Sequence, residues 1–190
     1  MIPRIIAICG SKRHGKDTIA NYLSSNYDYE HVKISQKMKD VCKILFGFSN
    51  NQMETDDKEI IDPKWNITPR KAMQFIGTEV GQFKIQELLP IIDRKFWINS
   101  LLNELNPNKK YVISDLRFLH EFEEIKRLDG LIIRVERPNL ILPTDLHISE
   151  SEYINIPTNI IIKNDNIENL YLQLNNLMNS FKFNFTLSRS

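Results

Sequence analysis

Nine residues near the start, Gly10-Ser11-Lys12-Arg13-His14-Gly15-Lys16-Asp17-Thr18, hold the spacing G-x-x-x-x-G-K. An apolar run from Arg4 to Cys9 leads directly into them, and a helical stripe of Ile19, Tyr22 and Leu23 follows. Strand, glycine loop and helix in that order make the spacing informative, because each part has a physical task. The glycines let the backbone wrap an anion, and the N–H groups at the helix start point at it. Lys16 then bridges the outer phosphates of a nucleotide and follows the charge that develops in phosphoryl transfer.

The position after this lysine is usually Ser or Thr, whose hydroxyl binds magnesium; here it is Asp17, with Thr18 next. Either Asp17 gives a hard oxygen, or Thr18 substitutes from a shifted turn, or Asp17 only complements the helix dipole. Asp115 ends a second apolar run, Tyr111-Val112-Ile113-Ser114. Ligands of open parallel sheets gather at the carboxyl ends of strands, so Asp115 is expected to face the same crevice as Gly10. Metal candidates are therefore Asp17, Thr18 and Asp115, and catalytic candidates are Lys16, Asp115 and Arg117. For a phosphorylated acceptor, Arg70 and Arg117 are the candidates, with Lys39 third. Arg70 falls in the first turn of a helix begun by Thr68-Pro69, where a cation is disfavoured unless an anion meets it. Arginine also grips phosphate through two parallel hydrogen bonds. An acceptor that is already anionic needs no strong base, which suits a chain without a Ser-His-Asp or Cys-His arrangement.

The elements that must position these groups alternate between strand and helix. Strands are expected at Arg4 to Cys9, Val32 to Ser35, Tyr111 to Asp115, Leu131 to Val135 and Thr158 to Lys163. A helix capped by Ser35 carries Met38, Val41, Cys42, Leu45 and Phe46 on one face. The helix from Thr68 continues through Ala72, Phe75, Ile76 and Val80, and another runs from Lys95 to Leu105. Phe118, Phe122, Ile125 and Leu128 form a stripe ended by Gly130. Asp165 and Glu168 frame a capping box for a last helix. Residues 47–67 read as a loop with room for one turn of helix, and 137–157 as a lid in which Arg137 and His147 reach inward while Glu150 orients one of them. Phe181, Phe183 and Phe185 fit an edge strand, a partner contact or a frayed end. The pattern predicts α/β architecture: one P-loop domain over residues 1–190, its parallel sheet covered on both faces.

Composition narrows the function further. With 190 residues, 42% hydrophobic and 26% charged, the chain is long enough for a core and too apolar for disorder. A net charge of +1 argues against a nucleic-acid polymer or an anionic membrane as partner. Two cysteines cannot form a disulfide framework, and a reducing, cytoplasmic setting is expected. The four histidines lie on separate segments without metal-ligand spacing.

Taken together, these blocks resemble the viral, bacteriophage-type deoxynucleoside monophosphate kinases. The resemblance rests on Gly10 to Thr18, Arg70-Lys71-Ala72-Met73-Gln74-Phe75-Ile76-Gly77-Thr78, Asp93-Arg94 with Trp97, and Asp115-Leu116-Arg117 with His120-Glu121. It continues in Val135-Glu136-Arg137-Pro138 and in Asp145 with His147-Ile148-Ser149-Glu150. It implies a nucleoside-monophosphate-kinase-like fold, transfer from ATP to a deoxynucleoside 5′-monophosphate, Mg2+ dependence, a homodimer and, for a virus, the host cytoplasm. ATP contacts then fall to Lys12, Arg13, Gly15, Lys16, Asp17, Thr18 and Arg137. Acceptor contacts fall to Lys12, Lys39, Arg70, Gln74, Thr78, Asp115, Arg117, Glu121, His147 and Glu150. Two other readings stay open: a kinase for another phosphorylated small molecule such as phosphomevalonate, and a nucleotide-binding switch.

Overall fold

The computed structural model describes residues 2–138, 140 and 152–187, with side chains up to residue 182. Asp145, His147 and Glu150, and with them the middle of the expected lid, lie outside the described residues. The chain divides into two compact units, Met1–Lys33 with Leu105–Ser190, and Ile34–Glu104.

The first unit is built on five parallel strands: β1 (Ile5–Cys9), β2 (Tyr29–Val32), β3 (Lys110–Ile113), β4 (Leu131–Glu136) and β5 (Ile160–Lys163). Their order is β2-β3-β1-β4-β5. Every residue of β1 is fully buried, as a central strand covered on both faces requires. Ile6 and Ile8 share a core with Val112, Ile133, Val135 and Ile162. Ile19, Ala20 and Leu23 of helix α1 (Lys16–Tyr27) pack against that face, beside Leu170, Leu174 and Met178 of the C-terminal helix (Ile167–Leu187). Each such aliphatic side chain removed from water contributes about 1.5–3 kcal/mol, so this face anchors the sheet.

Sheet order decides function here. With β3 between β1 and β2, the chain segments leaving β1, β2 and β3 emerge side by side at one end of the sheet. The strand expected at Val32 to Ser35 lies earlier, at Tyr29–Val32, so Lys33 is the first residue past its carboxyl end. The C-terminal helix runs to Leu187, which excludes an edge strand at the phenylalanines. Its start is capped by Asn166, whose side-chain oxygen accepts the N–H of Asn169 at 2.8 Å, rather than by an Asp165–Glu168 box.

The second unit holds α2 (Gln36–Phe46), α3 (Asn50–Glu54), α4 (Pro69–Gln74) and α5 (Phe96–Leu102). Its core joins Cys42, Phe48, Met53, Ala72 and Met73. Leu45, expected on the packed face of α2, is exposed, and Ser35 makes no capping bond with its side chain. Residues 47–67 hold more structure than the expected loop with one helical turn. Ser49 and Gln52 form a capping box for α3, a short helix spans Asp56–Glu59, and Asp62 bridges Ile67. Thr68 caps α4 as expected, accepting the N–H of Lys71 at 3.1 Å. Beyond it the α-helical stripe fails. Residues Phe75–Phe83 form a π-helical segment, so burial passes from Met73 to Thr78, the i+5 spacing of that helix, and Phe75 turns outward.

Candidate active site

The loop between β1 and α1 is bent where its sequence permits. Gly10 has φ +146 and Gly15 φ +101. A Cβ on Gly10 would stand 2.6 Å from the Val135 carbonyl oxygen, so only glycine lets the loop pass β4. Arg13 also takes a left-handed φ of 66. Three contacts tie this loop to its surroundings. His14 Nδ1 lies 3.0 Å from the Val135 carbonyl and must carry its proton there, because a carbonyl only accepts. Asn164, just after β5, donates its amide to the His14 carbonyl at 2.8 Å. The hydroxyls of Ser11 and Tyr153 meet at 2.7 Å.

Lys16 folds back over the loop and donates to the carbonyls of Gly10 and Ser11, at 2.8 and 2.7 Å. Burial pushes its ammonium down to about 8, and the Arg117 guanidinium adds to the shift, while Asp17 and Asp115 oppose it. Asp17, Asp115 and Arg117 thus all bear on Lys16 at one end of the sheet. Asp115 is buried, 7% exposed, and does not cap α6 (Leu119–Arg127); Phe118 occupies that cap. Glu121 instead closes the turn from β3 into α6, its Oε2 accepting the N–H groups of Arg117 at 2.8 Å and Phe118 at 3.1 Å. It therefore sets the path of the backbone that carries Arg117.

Asp17 is held from one side. Its Oδ1 accepts the Ser114 hydroxyl at 2.8 Å and stands 3.1 Å from Lys33 Nζ. Partial desolvation would raise its pKa, yet Ser114, Lys33 and His31 together hold the carboxyl below its usual range. Thr18 sits one residue further along the same helical turn and is half-buried.

A family model for deoxynucleotide monophosphate kinase matches residues 45–174. A protein of Acanthamoeba polyphaga mimivirus, provisionally named deoxynucleotide monophosphate kinase, is 32% identical over 182 residues, covering 90% of this chain and 93% of its own. The chain belongs to the deoxynucleotide monophosphate kinase family. It is accordingly a nucleotide kinase. The deoxynucleotide monophosphate kinase of Escherichia phage RB69 is 28% identical over 62% of this chain and 47% of the phage protein. Among solved structures, TT1252 from Thermus thermophilus shares the fold, with a TM-score of 0.50 and 16% identity over 95% of this chain and 98% of that one.

The family's remaining candidates divide between the units. Lys12 and Arg13 are exposed on the loop, and Arg137 is the first residue past β4. In the second unit, Lys39 pairs with Glu54 at 2.6 Å. Arg70 pairs with Glu59, so the anion that meets this first-turn cation is a carboxylate of its own unit. Gln74 ends α4, and Thr78 is buried in the π-helical segment. Phe75 and Phe83 are exposed, whereas Trp97 donates its indole N–H to the Gly77 carbonyl at 2.9 Å.

Sequence reasoning missed Lys33, Ser114, His31, Asn164 and Tyr153. Ser114 carried a faint signal, one residue before the carboxyl end of a predicted strand; Lys33 carried none, since it fell inside the strand expected at Val32 to Ser35.

The donors suit magnesium. That ion takes a few protein oxygens and completes its shell with phosphate and water. Asp17 and Asp115 offer hard carboxylates, and the charge of each acts on Lys16 and on His31. No group of three or more His, Cys, Asp or Glu side chains forms a metal cage among the described residues, and a nucleotide-borne magnesium does not require one. No helix among the described residues is long and apolar enough to cross a membrane.

Proposed function

We propose that the site moves the γ-phosphoryl group of ATP onto the 5′-phosphate of a deoxynucleoside monophosphate. The observation that carries this reading is that Lys16, bent back over the glycine loop, lies within the electrostatic reach of Asp17, Asp115 and Arg117. The loop N–H groups and Lys16 receive the outer phosphates of ATP, with Lys12, Arg13 and Arg137 as further cationic contacts. Arg117 holds the acceptor phosphate and neutralises charge between the two anions as the oxygens approach. Asp17 and Asp115, with Thr18 adjacent, would supply the protein-side oxygens for a magnesium ion bound with ATP, which would offset phosphate charge. Within the second unit, Arg70 and Lys39 are the cations for the acceptor, alongside Gln74 and Thr78. The acceptor oxygen is ionised at neutral pH, so the residues orient and stabilise rather than remove a proton. A homodimer working in the cytoplasm, the host's if the source is viral, completes this reading and rests on the family resemblance.

The test is acceptor-dependent ADP release from ATP by purified protein, with each deoxynucleoside monophosphate and with phosphomevalonate. Stimulation by at least one deoxynucleoside monophosphate and none by phosphomevalonate is expected. Nucleotide binding without acceptor-stimulated ADP release would instead describe a switch.

A further inference from the structure

Three side chains on the β2–β3 side of the glycine loop have no task in the reaction just described. Ser114 precedes Asp115 and is 1% exposed. Its hydroxyl donates to Asp17 Oδ1 at 2.8 Å and lies 2.7 Å from His31 Nε2. His31 Nδ1 in turn faces the Asn21 side chain on α1 at 3.1 Å. Lys33 approaches the same Asp17 Oδ1 at 3.1 Å. The other Asp17 oxygen takes part in no hydrogen bond or ion pair among the described residues.

Proton counting fixes the direction of this chain. A carboxylate only accepts, and a serine hydroxyl has one proton, so that proton goes to Asp17. The imidazole must then donate from Nε2 to the Ser114 oxygen. Nδ1 is left to donate to the Asn21 oxygen if the ring is charged, or to accept from the turned Asn21 amide if it is neutral. Either way Nε2 donates to Ser114 and Ser114 donates to Asp17. A flexible lysine supplies charge without fixing an angle, whereas a hydroxyl locked by a ring nitrogen fixes one.

Aspartate also differs from the usual Ser or Thr of this position. It is one bond longer, and its carboxylate turns freely unless one oxygen is held. We propose that Ser114 and His31 are positioning residues that hold one oxygen of Asp17 and thereby present the other to the magnesium of bound MgATP. The inference rests on the reading of Asp17 as a metal-side oxygen, and it concerns how this chain makes an aspartate do a hydroxyl's work. Partners that orient a metal-binding group typically change metal affinity on the order of 10–100-fold.

The test is ATP binding, measured calorimetrically on intact protein with Mg2+ and again in EDTA, which needs no turnover. In wild type, Mg2+ should tighten ATP. Ser114→Ala and His31→Leu should each shrink that gain by on the order of ten-fold while leaving the EDTA affinity within about two-fold. His31→Gln, whose amide N–H can reach toward the Ser114 oxygen, should restore most of it. In an Asp17→Asn background, Ser114→Ala should cost nothing further, because its effect passes through Asp17. Unchanged Mg2+ gain in both Ser114→Ala and His31→Leu, or equal losses with and without Mg2+, would overturn the proposal. So would losses that add to those of Asp17→Asn. If Asp17→Asn itself keeps the full Mg2+ gain, the reading of Asp17 fails first and the inference falls with it. Should Ser114→Ala fail to fold, the contrast between His31→Leu and His31→Gln, on the half-buried His31, decides alone.

Discussion

The Arg70 guanidinium donates through Nε and Nη2 to a single oxygen of Glu59, at 3.1 and 3.0 Å. Glu59 is half-exposed, so the pair contributes only about 0–1 kcal/mol to stability and its carboxylate is easily displaced. It occupies the donors that a phosphate would use. If Arg70 grips the acceptor, Glu59 competes with that acceptor. Glu59→Gln should therefore lower the acceptor KM with little change in Tm. Arg70→Lys should raise the KM and lower kcat on the order of ten-fold, the loss of roughly one charge-assisted bond, with ATP affinity unchanged. Steady-state kinetics over acceptor concentration, alongside ATP titration, check both variants. Wild-type acceptor kinetics in both would place the acceptor phosphate elsewhere.

Lys16→Ala should remain folded and lose on the order of 10²–10³ in kcat, as for other fixed groups that stabilise developing charge. The two carbonyls it bridges, on Gly10 and Ser11, belong to a loop that is also tied by His14, Asn164 and Ser11 itself. The loop should therefore keep its path without the lysine. Near wild-type turnover of the folded variant would remove Lys16 from the chemistry.

Asp115→Asn should raise the Mg2+ concentration needed for half-maximal rate. Asp115 lies in the turn just beyond β3, buried, and its charge reaches both Lys16 and His31. Rate against Mg2+ at saturating ATP measures the shift. A fall in Tm with unchanged Mg2+ dependence would make Asp115 a structural residue.

How much of this was legible in the sequence follows from distance along the chain. The glycine loop was readable because strand, turn and helix lie within about 20 residues and each leaves a local signature. Asp115 was readable because an apolar strand ending in a carboxylate is likewise local. His31 and Ser114 are 83 residues apart, and Ser114 and Asp17 are 97 apart. They meet because β3 inserts between β1 and β2, and a periodicity argument does not give that order. The helix after Thr68 failed for another reason. Its apolar residues fit a 3.6 period, but π-helical turns from Phe75 shifted the buried face to Thr78, Gly81 and Gln82. Arg70 was expected to meet an acceptor phosphate, and in the structure its guanidinium pairs with Glu59.

Glu121 makes the stability of the protein depend on pH in a direction opposite to most carboxylates. Burial pushes its carboxyl up to about 8, and the Asp115 charge adds to this, although the N–H groups of Arg117 and Phe118 oppose it. An unfolded glutamate titrates near 4.3. Between those values the folded chain holds a proton that the unfolded chain has released. Stability from this group is thus complete below about 4.3 and is lost as pH rises through about 8. His31, lowered by burial, works in the opposite sense below its unfolded value, and Lys16, also lowered, does so above about 8. A single stability profile would blend all three. Glu121→Gln separates them: its amide oxygen still accepts both backbone N–H groups, it cannot ionise, and His31 and Lys16 are the same in both proteins. Urea unfolding of wild type and Glu121→Gln at half-unit steps from pH 5 to 8.5 should show the variant gaining on wild type as pH rises. A constant difference between the two across that range would mean that Glu121 is ionised in the folded protein throughout.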